Sequence, residues 1–226
     1  MFSVLFEVHP RPDRWDAYLN HAAALRPELE RIDGFVDNIR YRSLTRAGWL
    51  LSLSNWRDEK ALVRWRTHAL HHHVQAQGRA DVFLDYHLRV GELTRDTRLP
   101  DGAGLIEQRF EQRCDQTRTG AATAIVLIDM RTPASPADVS PADVANPLGL
   151  AASAPGLVTW DVFEAVLAPG DAILLKCFRD RAAAAAFEAG AVIPSGARVR
   201  HVCVVRDYGM FDRREAPQYY PDAVRR

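Results

Sequence analysis

The sequence is short of several things that commonly announce a function. Its three cysteines, Cys114, Cys177 and Cys203, are scattered, odd in number and free of any C-x-x-C pair. That excludes a disulfide framework and a cysteine-rich zinc module, and makes a reducing cytoplasm the default expectation. There is no excess of charge: 29 Lys and Arg stand against 29 Asp and Glu. A protein that grips nucleic acid by its phosphates carries a basic surplus, so no nucleic-acid partner is expected. No apolar run approaches the roughly 20 residues that span a bilayer. The opening "MFSVLFEVHPRPDRW" lacks a basic region followed by a long apolar core, so neither a signal peptide nor a membrane partner is expected. The motifs G-x-G-x-x-G, G-x-x-x-x-G-K-[ST], G-x-S-x-G and H-E-x-x-H are all missing. A Rossmann site for flavin or nicotinamide therefore has no support.

What is present is a repeat. Residues 34–66 and 156–188 align without a gap at an offset of 122. Gly34 meets Gly156, Tyr41 meets Phe163, Gly48 meets Gly170, Trp56 meets Phe178 and Trp65 meets Phe187. Toward the ends of the halves, "YHLRVGELTRD" (86–96) resembles "VRHVCVVRD" (199–207) at an offset of 111. The second half has thus lost 11 residues between Phe187 and its last strand. The matching interval of the first half holds "HALHHHVQAQGR", with four of the chain's eight histidines: His68, His71, His72 and His73.

Each half reads β-α-β-β-α-β. Residues 2–8 form a β-rich run, and 13–31 place Trp15, Tyr18, Ala22, Leu25 and Leu29 at helical spacing, with Pro27 weakening the last turn. Two strands flank an Arg46–Ala47–Gly48 turn. A second helix starts at Asp58 and closes at Gly78, and a final strand covers 83–93. In the second half the first helix is Pro/Ala/Ser-rich and supports only short turns, and the linker offers one extra strand, "LIEQRFEQRC". The expected fold is α+β: two ferredoxin-like β-α-β-β-α-β repeats fused into a pseudo-dimeric α+β barrel. The expected units are 1–98, a linker 99–121, a degenerate repeat 122–212 and a tail 213–226. The first repeat is expected to carry the pocket.

The residues of "RIDGF", "LSLS.WRDE", the paired Trp56 and Trp65, and "DY.LRV" make the first half resemble the antibiotic biosynthesis monooxygenase family, a branch of the dimeric α+β barrel proteins. The tail "RDYGMFDRREAP" (206–217) is similar to the C-terminal extension of some single-domain members. The resemblance implies sheet-against-sheet packing into a barrel, a pocket between sheet and helices, and a choice of chemistries. These are cofactor-free oxidation of phenols, haem degradation, or no turnover. Haem-degrading relatives place an axial histidine ten positions past the tryptophan matching Trp65, which here is Gln75. They also place an asparagine on the first strand, where this chain has Phe6-Glu7.

Candidate roles follow. In one continuous helix His68 and His72 are i,i+4 neighbours facing the sheet with Trp65, while His71 and His73 lean outward. His72 and His68 are therefore the catalytic candidates, since a histidine titrating near neutrality suits proton abstraction from a phenol. Trp56, Trp65, Tyr41, Phe83, Tyr86 and Arg89 are the substrate-binding candidates. The tryptophans are equally explained by core packing. On the last strand His87 and Arg89 face the barrel interior, where a buried Arg89 needs a partner such as Asp37, Glu7 or Glu92. His71 and His72 are the possible haem or metal ligands. No metal site is assigned, because two histidines lack a third ligand at a supporting spacing. The expected activity is that of a small monooxygenase on an apolar aromatic or quinone-type substrate, with no tight cofactor. The alternative is a haem- or small-ligand-binding protein without turnover. The expected partner is a small aromatic molecule, and the chain is either a monomer with an internal pseudo-dimer or a homodimer.

Overall fold

The computed structural model describes residues 1–99, 104–105, 120–132 and 139–212. Cys114, the linker segment "LIEQRFEQRC" beyond Leu105, and the tail 213–226 lie outside the described residues. The first repeat runs β1 (Phe2–Pro10), α1 (Trp15–Glu30), β2 (Phe35–Ser43), β3 (Leu50–Trp56), α2 (Glu59–Arg66), α3 (Ala69–Gln77) and β4 (Phe83–Asp96). The second runs β5 (Ala124–Arg131), α4 (Pro141–Ala145), β6 (Leu157–Ala165), β7 (Asp171–Phe178), α5 (Arg181–Gly190) and β8 (Arg198–Gly209). None of the described helices is long and apolar enough to cross a membrane.

The strands close into one eight-stranded barrel in the order β1-β3-β2-β6-β7-β5-β8-β4. Within each repeat the order is that of a ferredoxin-like sheet. Two seams join the repeats: β2 with β6 at Tyr41–Ser43, and the longer β4 with β8 from His87 to Asp96. The barrel interior is packed with Leu5, Leu51, Leu53, Leu127, Phe163 and Ile173. Alternate residues on the same strands face outward onto helices.

The repeat seen in sequence is a repeat in geometry. Gly34 and Gly156 both sit at positive φ, +91° and +78°. In each, the glycine carbonyl accepts the backbone N–H of the arginine that precedes the helix, Arg57 or Arg179, at 2.8 Å. Asp58 and Asp180 then cap α2 and α5, accepting from Ala61 N and Ala183 N at 2.8 Å. A Cβ at Gly34 would stand 2.7 Å from the Ala61 Cβ, and one at Gly156 would stand 2.5 Å from the Ala183 Cβ. Each glycine thus lets a helix start close against the strand.

Two local expectations change. The segment expected as one helix from Asp58 to Gly78 is broken. Thr67 ends α2, its Oγ1 donating to the Val63 carbonyl at 2.9 Å, and His68 is extended (φ −63°, ψ 129°) as the N-cap residue of α3. Gly78 does not turn the chain left-handed. It is right-handed helical and leads into a π-helical turn, Gly78–Val82. It is small because the Phe83 ring occupies the space a Cβ would take, 2.4 Å away.

Gly34→Ala is expected to lower stability by about 1–3 kcal/mol, the cost of a strained positive-φ residue, with the Ala61 clash added. Chemical denaturation measures it; a variant as stable as wild type refutes the account of the helix start.

Candidate functional site

A cavity of about 230 Å³ lies between the outer face of the first repeat's sheet and helices α1, α2 and α3. The strand register defines its floor as two rows. One is Arg40–Ser52–Phe6–Leu88–Tyr208 and the other Asn38–Ser54–Val4–Val90–Arg206. The middle of the floor is apolar, and the β2–β3 side is polar. Arg206 and Tyr208 come from β8, so the second repeat supplies one margin of the cavity.

The roof follows from helical periodicity. Tyr18, Ala22, Leu25 and Leu29 recur on one face of α1, and all four line the cavity. An aromatic wall closes one end. Phe6 packs against Phe83 and Tyr86 with ring centroids 5.9 and 5.6 Å apart, and Tyr18 meets Phe83 at 6.3 Å. Arg79 donates to the Tyr86 hydroxyl at 2.5 Å. Burial pushes the Tyr18 hydroxyl pKa up, and Arg40, hydrogen-bonded to it, only partly offsets this.

The break between α2 and α3 resets the phase of the histidine cluster. His71, not His72, lines the cavity. Its ring stacks on Trp65 with centroids 4.2 Å apart and planes at 15°. His71 Nδ1 lies 2.9 Å from the Trp65 carbonyl oxygen. A carbonyl only accepts, so Nδ1 carries the proton and Nε2 keeps its lone pair, 3.5 Å from the Gln75 amide nitrogen. Burial drives the His71 pKa down to about 4, against the Trp65 contact that raises it, and His68 and His72 push it further down. The imidazole is therefore neutral at physiological pH and presents an acceptor. His68 also stacks on Trp65, at 5.7 Å, with Nε2 3.6 Å from Glu28. His73 is exposed, and neither it nor His68 lines the cavity.

The substrate-binding candidates divide. Trp65, Phe83 and Tyr86 line the cavity. Trp56 is fully buried beside it, with Nε1 donating to Ser54 Oγ at 3.0 Å. Tyr41 and Arg89 are inside the barrel instead. Burial raises the Tyr41 pKa among apolar neighbours. Arg89 pairs with Glu7 and donates to Cys177 Sγ at 2.7 Å. Glu7 is the partner that a buried Arg89 required. Burial pushes its carboxyl up, but Arg89 and Arg46 hold it below the usual carboxylate range. Sequence reasoning missed Arg40, His21 and the β8 residues. Arg40 was readable from its alternation with Asn38, whereas the β8 contribution depends on a pairing that no local pattern encodes.

In the second repeat a long side chain lies on the corresponding face of the sheet. The equivalent of Ser54 is Lys176, fully buried. Its Nζ lies 3.2 Å over the Phe187 ring and donates to the Gly149 carbonyl at 3.1 Å, and burial brings its pKa down to about 8. Leu148, Val144 and Phe187 belong to one apolar cluster in this repeat. Among the described residues no three His, Cys, Asp or Glu side chains converge as a metal site would need. His9, on β1, stacks on Trp49.

Residues 1–77 match the antibiotic biosynthesis monooxygenase family. The jasmonate monooxygenase ABM of Pyricularia oryzae is 48% identical over 226 residues, 99% of this chain and 100% of that one. The chain belongs to the antibiotic biosynthesis monooxygenase family. An aldoxime dehydratase solved with butyraldoxime shares the fold at 12% identity and a TM-score of 0.54, over 90% of this chain and 79% of that one. As a member of the family, the chain carries two copies of the ferredoxin-like unit, and the described cavity sits where such a unit meets its helices.

The depressed His71 pKa has a thermodynamic consequence. Between the ordinary value of 6.5 and about 4, the unfolded chain takes up a proton that the folded chain refuses. Stability from His71 is complete above pH 6.5 and falls as the solution is acidified. Urea titrations at pH 7 and pH 5 are expected to show a smaller loss for His71→Gln than for wild type. Equal losses refute the neutral, buried assignment.

Proposed function

We propose that this protein is a monooxygenase of a small, mostly apolar molecule bound in the first-repeat cavity without a tight cofactor. Its substrate is of the class of jasmonate, the anion of an alicyclic keto acid. The observation that carries this is the 48% identity running the full length of a jasmonate monooxygenase, in a chain whose cavity suits such a ligand. At about 230 Å³ the cavity is below the roughly 300–1,000 Å³ of drug-sized sites. Val4, Phe6, Leu88 and Val90 give it an apolar floor that repels water and accepts dioxygen, itself apolar.

Without a tight cofactor the electrons come from the substrate. A CH2 beside the ketone gives a proton to His71, the carbanion takes up dioxygen, and the hydroperoxide loses water to leave a carbonyl. One oxygen atom thus enters the product and the other departs as water. In this reading Trp65 holds the substrate's apolar body against the floor, and His71 Nε2 accepts a proton from it. A neutral acceptor in place of a cation avoids trapping a substrate anion at the reacting end. The first repeat does this work, and the second completes the barrel.

Haem fits this cavity poorly. The volume is small for a porphyrin, Gln75 stands where haem-degrading relatives have their axial histidine, and His71 lies flat on Trp65 with Nε2 turned toward Gln75.

Oxygen uptake with jasmonate as substrate, and with a hydroquinone or anthrone in parallel, tests the reading. Jasmonate-dependent uptake with a product that has gained one oxygen and lost two hydrogens is expected, and His71→Ala is expected to lower kcat by about a hundredfold, the low end for a general base. No uptake with any of them removes the monooxygenase reading. Uptake with the aromatic alone moves the substrate to the phenol class. Loss of rate in His72→Ala but not in His71→Ala overturns the choice of histidine.

A further inference from the structure

The cavity's charge is one-sided. Arg26, Arg40, Arg66, Arg79 and Arg206 line it, against a single carboxylate among the described lining residues, Glu59. Two of these arginines, Arg40 and Arg66, each hold a buried Nε with no hydrogen-bond partner among the described residues. A guanidinium nitrogen out of reach of water and without an acceptor is expensive. Arg89 and Arg200, inside the barrel, also hold such an Nε, but each meets a carboxylate, Glu7 or Asp129, through its other nitrogens.

The two are not equivalent. Arg66 sits in the last turn of α2, where unpaired helix carbonyls already favour a cation. Arg40 has no such explanation. It lies mid-strand on β2, at the polar margin of the floor, next to Ser52 in one row and two residues from Asn38 in the other. Asn38 Nδ2 donates to Ser52 Oγ at 2.9 Å, and neither side chain supplies an acceptor to Arg40 Nε. The hydroxyl of Tyr18, from α1, hydrogen-bonds the guanidinium and holds it in place. The nearest floor residues beyond this polar margin are the apolar Val4 and Phe6.

We propose that Arg40 is the anion subsite of the cavity. It receives the carboxylate of the substrate through its buried Nε and lays the apolar remainder across Val4, Phe6, Leu88 and Val90 toward Trp65 and His71. This rests on the monooxygenase reading for the identity of the substrate and on the cavity alone for its charge. The site then discriminates by ionisation. A free acid binds, while its methyl ester, similar in shape but without the charge, leaves the Arg40 guanidinium without a counter-charge. The carboxylate is also fixed at one end, so oxygen is delivered toward the far end of the molecule.

The full-length protein is titrated with jasmonic acid and with methyl jasmonate by calorimetry, without turnover, at pH 7. The acid is expected to bind at least tenfold more tightly than the ester. Arg40→Met is expected to remove that preference while leaving ester affinity near wild type, and Arg40→Lys to restore part of it. Equal affinity for acid and ester in the wild type overturns the subsite, as does an unchanged preference in Arg40→Met. If Arg40→Met does not fold, the salt dependence of the wild-type acid affinity against that of the ester decides instead: equal dependence overturns the proposal. Octanoate and methyl octanoate form a second pair. An Arg40-dependent preference for octanoate, with no jasmonate binding or oxygen uptake, leaves the subsite standing and sinks the functional reading. Oxygen uptake with jasmonate and no acid preference does the reverse.

Discussion

Closure of the barrel within a single chain is the constraint on which the rest depends. Eight strands joined at the β2–β6 and β4–β8 seams leave no free edge. The inner faces share one core. The outer faces remain as two apolar surfaces, and each must be covered by the helices of its own repeat. The first repeat covers its face with three helices standing away from the sheet, and a cavity results. The second has the short α4, the loop through Leu148 and Leu150, and α5, and these settle directly onto the sheet around Lys176.

Polar groups sort along the same division. Inside the barrel, charge is neutralised in place: Glu7 between Arg89 and Arg46, and Asp161 receiving Arg46, Ser43 and Thr45. Asp161 belongs to the second repeat, so this network also ties the two halves across the interior. Outside, under the helices of the first repeat, Arg40 has no carboxylate partner among the described residues, whereas Arg89 and Arg200 inside the barrel meet Glu7 and Asp129.

Much of this was legible in the sequence. The gapless repeat carried both positive-φ glycines and both aspartate caps, and it predicted the two-unit barrel. Strand alternation and the cost of an uncompensated charge called for a carboxylate beside a buried Arg89, with Asp37, Glu7 and Glu92 open, and the partner is Glu7. The histidine cluster was misread for a local reason. Thr67 ends α2 and His68 starts α3 in an extended conformation, and that offset exchanges His72 for His71 at the cavity. The placement of Tyr41 inside the barrel, and of Arg206 and Tyr208 at the cavity margin, depends on which strands meet across the seams. Side-chain periodicity does not encode that.

The burial of Lys176 in place of Ser54 says something about fusion itself. In a symmetric dimer every substitution appears twice, so filling one cavity fills both and ends the activity. Joining the copies in one chain breaks that coupling. One half can drift toward solidity while the other stays hollow, and the solid half still lends a margin of β8 to its neighbour's site. The molecule is a dimer released from its own symmetry.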